Sequence, residues 1–515
     1  MLTEFRNEPL TDFTDPKNRE AMQRALAAIR TRFGKTHPLV IGGERIACAE
    51  TFVSTNPSNP SEVVGHFAKA TESEAQKAID AALAAFPAWS GLPADERATV
   101  LLRAARILRQ KKHLMSALMV LEAGKSWVEA DADTAEAIDF MDFYGHEAIR
   151  YGGPQPVTAL HGEMNELSWI PLGVIAVIPP WNFPCAILTG MATAAMAAGN
   201  TVVLKPASDT PMIGQLVFEI LEEAGMPPGV VNFLTGPGRI AGDFLVRHKD
   251  VRAIAFTGSM EVGLEIHRKA AETVPGQIFV KRTILEMGGK DCMVIDETAD
   301  LAAAARDIVA SAFGYQGQKC SAGSRAIIVD KVYDEVLAKS VALTKELVIG
   351  PTDVYENKIG PVIGASAERT ILRYIEIGSR EGKILAGGAK LPGAGFFIQP
   401  TLIADVDRNA VVAQEEIFGP VVAFIRAKDW KDAIDAANGT MYGLTGAFCS
   451  NVRERIAYAK RHFHVGNLYF NRKCTGALVG VHPFGGFNMS GTDSKAGGRD
   501  YLALFSQAKL WSEKL

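Results

Sequence analysis

The chain has 515 residues, 48% of them hydrophobic, which is material for two or three structural units rather than one. Its net charge of −4 comes from 54 basic and 58 acidic residues interspersed along the sequence, so it has neither the basic stripe of a nucleic-acid binder nor the polybasic patch of a membrane-surface protein. A small molecule is the partner class left, and six cysteines (Cys48, Cys185, Cys292, Cys320, Cys449, Cys474) without a CxxC pair, behind an opening MLTEFRNEPL that has no apolar signal core, fit a reducing cytoplasm.

Helices open the chain. Ala75, Ala78, Ile79, Ala82, Leu83 and Phe86 keep the spacing of an amphipathic helix, and residues 95–122 continue in the same manner. From Leu167 to Leu204 no side chain is charged, a run longer than the roughly 20 residues that cross a bilayer. Pro171, Pro179, Pro180 and Pro184 interrupt it, so it reads as a buried strand (GVIAVI), a loop (PPWNFP) and a helix (AILTGMATAAMAAGN) rather than a span. Strands are expected at 174–178, 201–205, 230–234 and 251–256 with helical stretches between them, the pattern of a doubly wound parallel sheet. Such sheets usually hold a nucleotide. After Gly288 a second α/β series follows: CMVI, the helix of LAAAARDIVASAFG, RAIIVD, another helix, and strands near 396–403, 421–426, 444–449 and 465–470. His462 and His464 alternate on an apparent strand, and without a third ligand nearby they read as ordinary side chains, so no metal is expected.

Several short stretches carry chemistry. In AFTGSMEVG a strand meets a helix through Gly258 and Ser259, with Gly263 on the first turns, a partial phosphate-binding pattern that taken alone reads first as a capped glycine turn. Lys205 in VVLKPAS ends a strand at the edge where open sheets bind ligands. Cys320 in YQGQKCSAG differs from Cys292, which lies in an apolar run, because glycines keep its approach open and Lys319 places positive charge beside it. Glu286 in TILEMGGKD ends a strand before two glycines, where a carboxylate can act as a base toward water. Asn182 in PPWNFPC, set between prolines and aromatics, can aim its amide at a developing oxyanion.

In their order, PWNFP, KPAS, FTGSMEVG, LEMGGKD, GQKCS, EEIFGPV and PFGGFNMSG resemble the aldehyde dehydrogenase superfamily, over nearly the whole chain from about residue 38. GQKCSA, GNLYFNRKCTGALVG and the extension FRNEPLTDF narrow the resemblance to the branch that oxidises L-glutamate γ-semialdehyde to glutamate. The resemblance implies an α/β fold with a Rossmann-type cofactor domain (1–153 and 172–287), an α/β catalytic domain (288–478) and a small oligomerisation flap (154–171 with 479–515), and a homo-oligomer built from dimers.

The same resemblance implies roles. Cys320 is the nucleophile, Glu286 the base for deacylation, and Asn182 with the Cys320 N–H the oxyanion hole. Lys205 and Glu416 hold the riboses of NAD, Ser259 in the Gly258–Gly263 turn meets the pyrophosphate, and Phe418 lies beside the nicotinamide ribose. Ser208 stands where many NAD-specific relatives carry glutamate, which removes a charge that would repel NADP. For the substrate, Lys319 and Ser321 flank the nucleophile, Gly476 and Ala477 offer backbone N–H groups to an α-carboxylate, and Phe183 and Phe484 wall the aliphatic chain. Two other readings stay open: a broader semialdehyde dehydrogenase, for example on succinate semialdehyde, because an anion anchor does not demand an α-amino group, and a non-catalytic scaffold.

Overall fold

The computed structural model describes residues 4–515. The uncharged run breaks at its prolines as expected, into the buried strand Val174–Ile178, an irregular stretch and the helix Ala186–Ala197. No helix among the described residues is long and apolar enough to cross a membrane.

Val174–Ile178 is an inner strand, the third, of a seven-stranded sheet. In spatial order the strands are Arg282–Glu286, Val251–Thr257, Val174–Ile178, Thr201–Leu204, Val231–Phe233, Leu39–Ile41 and Glu44–Ile46, the first five parallel and the last two antiparallel. Chain order runs outward in one direction from Val174–Ile178 and in the other from Val251–Thr257, so the crevice between their carboxyl ends is the switch point where such sheets bind ligands. At that edge emerge the loop with Asn182, Lys205, the turn Gly258–Ser259 and Glu286.

The second unit is also seven-stranded, in the order Lys383–Ala386, Thr401–Ala404, Val421–Ala427, Arg325–Val329, Cys292–Ile295, Thr445–Cys449 and Asn467–Phe470, parallel except for the first. Of the stretch expected as strand near 396–403, only Thr401 onward pairs in the sheet. His462 and His464 do not alternate on a strand: His462 ends the helix Arg453–His462 and stacks on Tyr458 at 3.9 Å, and His464 lies in the following loop against Phe487. The helical region 95–122 is two helices, Ala94–Gln110 and Lys112–Glu122, broken at Lys111.

Strand Glu163–Pro171 pairs antiparallel with Ser506–Lys514 to form an arm that exposes Met164, Leu510 and Trp511. Residues 479–505, grouped with the arm on the sequence alone, do not all belong there. The stretch 485–495 folds back onto the strand ending at Glu286, where Met287 N–H donates to Ser490 O at 2.8 Å and Thr492 N–H to Leu285 O at 2.9 Å.

One buried carboxylate joins helices that sequence patterns treat separately. Glu122, the last residue of Lys112–Glu122, accepts from Met212 N–H at 3.0 Å, Ile213 N–H at 2.9 Å and Ser54 Oγ at 2.8 Å, and so caps the helix Pro211–Glu223, whose own N-cap Thr210 makes no side-chain bond. Burial pushes its pKa up to about 7. Glu122→Gln leaves one acceptor oxygen for two helix N–H groups, so one donor loses its partner at a cost of about 1–3 kcal/mol. Urea unfolding of the variant should show that loss, and an unchanged midpoint would contradict the cap.

Candidate active site

The thiol sits on a reversed piece of chain. After the helix Leu301–Phe313, Tyr315 (φ 51°), Gln316 (φ 55°) and Gly317 (φ 66°) are successively left-handed, which costs an L-residue roughly 1–2 kcal/mol each. Contacts from outside the loop hold it. Tyr315 Oη donates to Ala123 O at 3.0 Å, and Gln316 Nε2 donates to Gly124 O at 2.9 Å and Pro361 O at 2.8 Å. The ammonium of Lys125 lies 4.0 Å from the Phe183 ring centre and 4.3 Å from that of Tyr315, and pairs with Asp133 at 2.9 Å with both side chains wholly buried. Phe183 is thereby fixed as one side of a cation–aromatic sandwich.

Two carboxyl-edge groups meet this loop. Asn182, buried, donates its amide to Gln318 O at 3.0 Å, so it is held against the backbone two residues before Cys320. The glycines of EMGGKD are required by packing, since a Cβ at Gly288 would collide with the Glu416 carboxylate and one at Gly289 with the Cys320 carbonyl oxygen. They let the chain after Glu286 pass directly beneath the thiol loop.

The electrostatics of the thiol are the reverse of the sequence expectation. Burial pushes the Cys320 thiol well up, and the carboxylates of Asp291, Glu416 and Glu286 push it further. Lys319 does not offset them, because its ammonium is paired with Glu129 at 2.6 Å. Burial and these neighbours favour the protonated thiol. Glu286 is itself raised to about 7 by burial, against the opposing effects of Ser494 Oγ, which donates to it at 2.6 Å, the N–H groups of Gly486 (3.2 Å) and Ser494 (3.4 Å), and the charge of Lys495. A carboxylate so poised can take a proton from water near neutral pH.

Of the residues expected to hold a cofactor, Lys205, Gly258 and Ser259 follow the carboxyl ends of strands of the first sheet, and Glu416 reaches the glycines after Glu286. Lys205 is buried, its pKa lowered to about 8 by desolvation, and it donates only to Pro206 O at 3.1 Å, which leaves ammonium donors for a ligand. Glu416 accepts Gly289 N–H at 3.1 Å through one oxygen. Ser259 caps the helix Met260–Ala271, Ser208 Oγ donates to Gly236 O at 3.2 Å, and Phe418 (φ 55°) meets Trp181 edge to face at 5.4 Å. A lysine, a carboxylate and a helix N-terminus at a switch point suit the hydroxyls and pyrophosphate of a dinucleotide. Gly258 and Gly263 have a further reason to be glycine: a Cβ at either would collide with Phe256 or Met287.

On the substrate side, Ser321 is buried with its carbonyl accepting from Cys474 Sγ at 3.5 Å, which ties the thiol loop to the turn Thr475–Gly476–Ala477. Phe484 pairs through its backbone with Ala496. Sequence reasoning missed the long helix Trp127–Tyr151, which brings Glu129, Asp133 and Glu136 toward this region. Glu136 is raised to about 8 by burial and by the charge of Asp133. The signal was present as carboxylates spaced along an otherwise apolar helix face, at 129, 133 and 136.

The pattern of the "Aldehyde dehydrogenase family" matches residues 46–511. The chain belongs to that family. A 1-pyrroline-5-carboxylate dehydrogenase of Geobacillus sp. (strain WCH70) is 55% identical over 513 residues, with both chains covered completely. The crystal structure of 1-pyrroline-5-carboxylate dehydrogenase from Thermus with bound NAD is 50% identical, superposes with a TM-score of 0.98 and is covered completely in both chains. Proline utilization A from Bdellovibrio bacteriovorus is 44% identical with a TM-score of 0.98, over 99% of this chain and 53% of that one. For an aldehyde dehydrogenase with Glu286 near 7, turnover should climb with pH through about that value, because the base works deprotonated. Ser494→Ala removes a donor that favours the carboxylate, so the rise should move to higher pH. A rate profile identical to wild type would show that Ser494 does not set this base.

Proposed function

We propose that this aldehyde dehydrogenase oxidises L-glutamate γ-semialdehyde, the open form of 1-pyrroline-5-carboxylate, to L-glutamate with NAD as acceptor, and so serves proline catabolism. The relatives carrying that name cover its whole length. The observation that carries the substrate reading is the turn at Gly476 and Ala477. Among the described residues neither backbone N–H donates to any acceptor, although the turn is tied to the thiol loop. Two unspent donors beside a nucleophile suit an anionic group at the far end of a short aldehyde.

The mechanism follows from the residues. Cys320 releases its thiol proton to water as Sγ adds to the aldehyde carbon, and the resulting oxyanion is met by the Asn182 amide and the Cys320 N–H. When bound, the nicotinamide would supply the acceptor for the hydride that leaves the former aldehyde carbon as the oxyanion re-forms its C=O, and the acid is left as a thioester on Cys320. Lys205, Glu416, Ser208 and Ser259 are the residues that would hold the dinucleotide. Glu286 then takes a proton from water, which hydrolyses the thioester and frees the acid. Phe183, held by Lys125, and Phe484 bound the aliphatic chain, and Lys319 with Ser321 flanks the reacting carbon.

We divide the chain into a cofactor domain (1–153 and 172–287), a catalytic domain (288–478) and an arm built from 154–171 and the end of the chain, with the sheet membership above as support. The exposed apolar side chains of the arm support assembly into homo-oligomers. Six free cysteines support a reducing cytoplasm.

A substrate panel tests the assignment. Hydrogen bonds to a charged group contribute about 1.5–3 kcal/mol each, so glutamate semialdehyde should exceed butanal in kcat/KM by roughly 10² to 10⁴. Equal values would remove the anchor, and a best rate on succinate semialdehyde would leave the anchor but change the substrate. Ser208 predicts measurable turnover with NADP besides NAD, and Ser208→Glu should suppress the NADP rate selectively. No NADP turnover at millimolar concentration would overturn that reading.

A further inference from the structure

The turn that offers the two free N–H groups is held from behind by one side chain. Arg472 Nη2 donates to Thr475 O at 2.8 Å and to Gly476 O at 3.0 Å, and its guanidinium lies over the Tyr469 ring at 4.6 Å. No peptide bond in the described chain is cis, and in a trans unit the C=O and N–H point in opposite directions. The Thr475 carbonyl shares its peptide plane with the Gly476 N–H, and the Gly476 carbonyl shares its plane with the Ala477 N–H. By drawing both oxygens to one nitrogen, Arg472 makes successive peptides point the same way instead of alternating. The two N–H groups are therefore presented side by side on the opposite face. Gly476 supplies the backbone this requires, at φ 81°, where an L side chain is strained.

We propose that Arg472 is a positioning residue for the substrate carboxylate: it builds the donor pair of Gly476 and Ala477 by fixing their peptide planes and does not itself touch the substrate. This rests on the reading that the substrate carries a carboxylate at that turn. The guanidinium is committed to two carbonyls and a ring face, and its contribution is preorganisation, so that the donors need no ordering when the anion arrives. Cys474, between Arg472 and the turn, bonds Ser321 O at 3.5 Å and carries the same rigid frame to the residue after the nucleophile.

The test compares wild type, Arg472→Leu and Arg472→Lys in three measurements: kcat and KM for glutamate semialdehyde, kcat/KM for butanal, and the Kd of L-glutamate by calorimetry. Displacing a positioned group by about 1 Å can cost on the order of 10²-fold. Arg472→Leu should therefore raise KM and the glutamate Kd by roughly 10- to 100-fold, with kcat and butanal turnover near wild type. Arg472→Lys, which restores charge without a planar donor resting on Tyr469, should recover only part of the loss. Equal losses on both aldehydes, an unchanged glutamate Kd, or complete recovery by lysine would each overturn the proposal. A wild-type enzyme that neither prefers the carboxylated aldehyde nor binds glutamate would instead remove the substrate reading, and this inference with it.

Discussion

The candidate active centre depends on one constraint: three consecutive left-handed residues shortly before Cys320 must be held in place by groups from elsewhere in the chain. Left-handed Tyr315 and Gln316 are locally unfavourable. Their side chains recover the cost by reaching the carbonyls of Ala123, Gly124 and Pro361. Because Ala123 and Gly124 immediately follow the helix that Glu122 pins to Pro211–Glu223, the strained loop is anchored to the first sheet's side of the molecule. The backbone two residues before the thiol is thereby set against Asn182, and the thiol lies within electrostatic reach of Glu286, from a strand of that sheet.

The same closeness explains the electrostatics. Packing a thiol, Asp291, Glu416 and Glu286 around two obligatory glycines leaves little solvent to separate them, and every one of these groups is pushed toward its neutral form. The ammonium beside the thiol, that of Lys319, is paired with Glu129, and the pKa of Lys290, buried and without a hydrogen-bond partner among the described residues, is lowered by burial to about 7. Such a centre stores its reactivity in groups near neutrality, where a proton moves at little cost, rather than in a standing thiolate. The turn at Gly476 and Ala477, where we propose that the substrate carboxylate binds, is built differently, with Arg472 bonded to the carbonyls of Thr475 and Gly476.

Much of this was legible in the sequence. Prolines and buried runs located most strands of both sheets but not Leu39–Ile41, Glu44–Ile46 or Lys383–Ala386, and the strand-ending positions of Lys205, Gly258 and Glu286 followed from where hydrophobic runs stop. Relations between distant segments were not legible. Nothing local distinguishes Arg472 from any exposed arginine, or tells that residues 485–495 return to bond Glu286 and Tyr501–Phe505 packs into the core of the first unit while Ser506–Lys514 forms the arm. The error about Lys319 has the same origin, since adjacency to Cys320 is visible in the sequence and its partner Glu129, on a helix 190 residues earlier, is not. His462 and His464 looked like strand because two-residue alternation across the end of a helix imitates it.

The most direct test of the account is to mix Glu286→Gln enzyme with NAD and glutamate semialdehyde, quench in acid within one turnover, and identify by mass spectrometry which peptide carries the acyl group. The account predicts a glutamyl thioester on the Cys320 peptide that persists because its hydrolysis lacks a base. An unmodified Cys320 peptide while reduced cofactor continues to accumulate at the wild-type rate would contradict it.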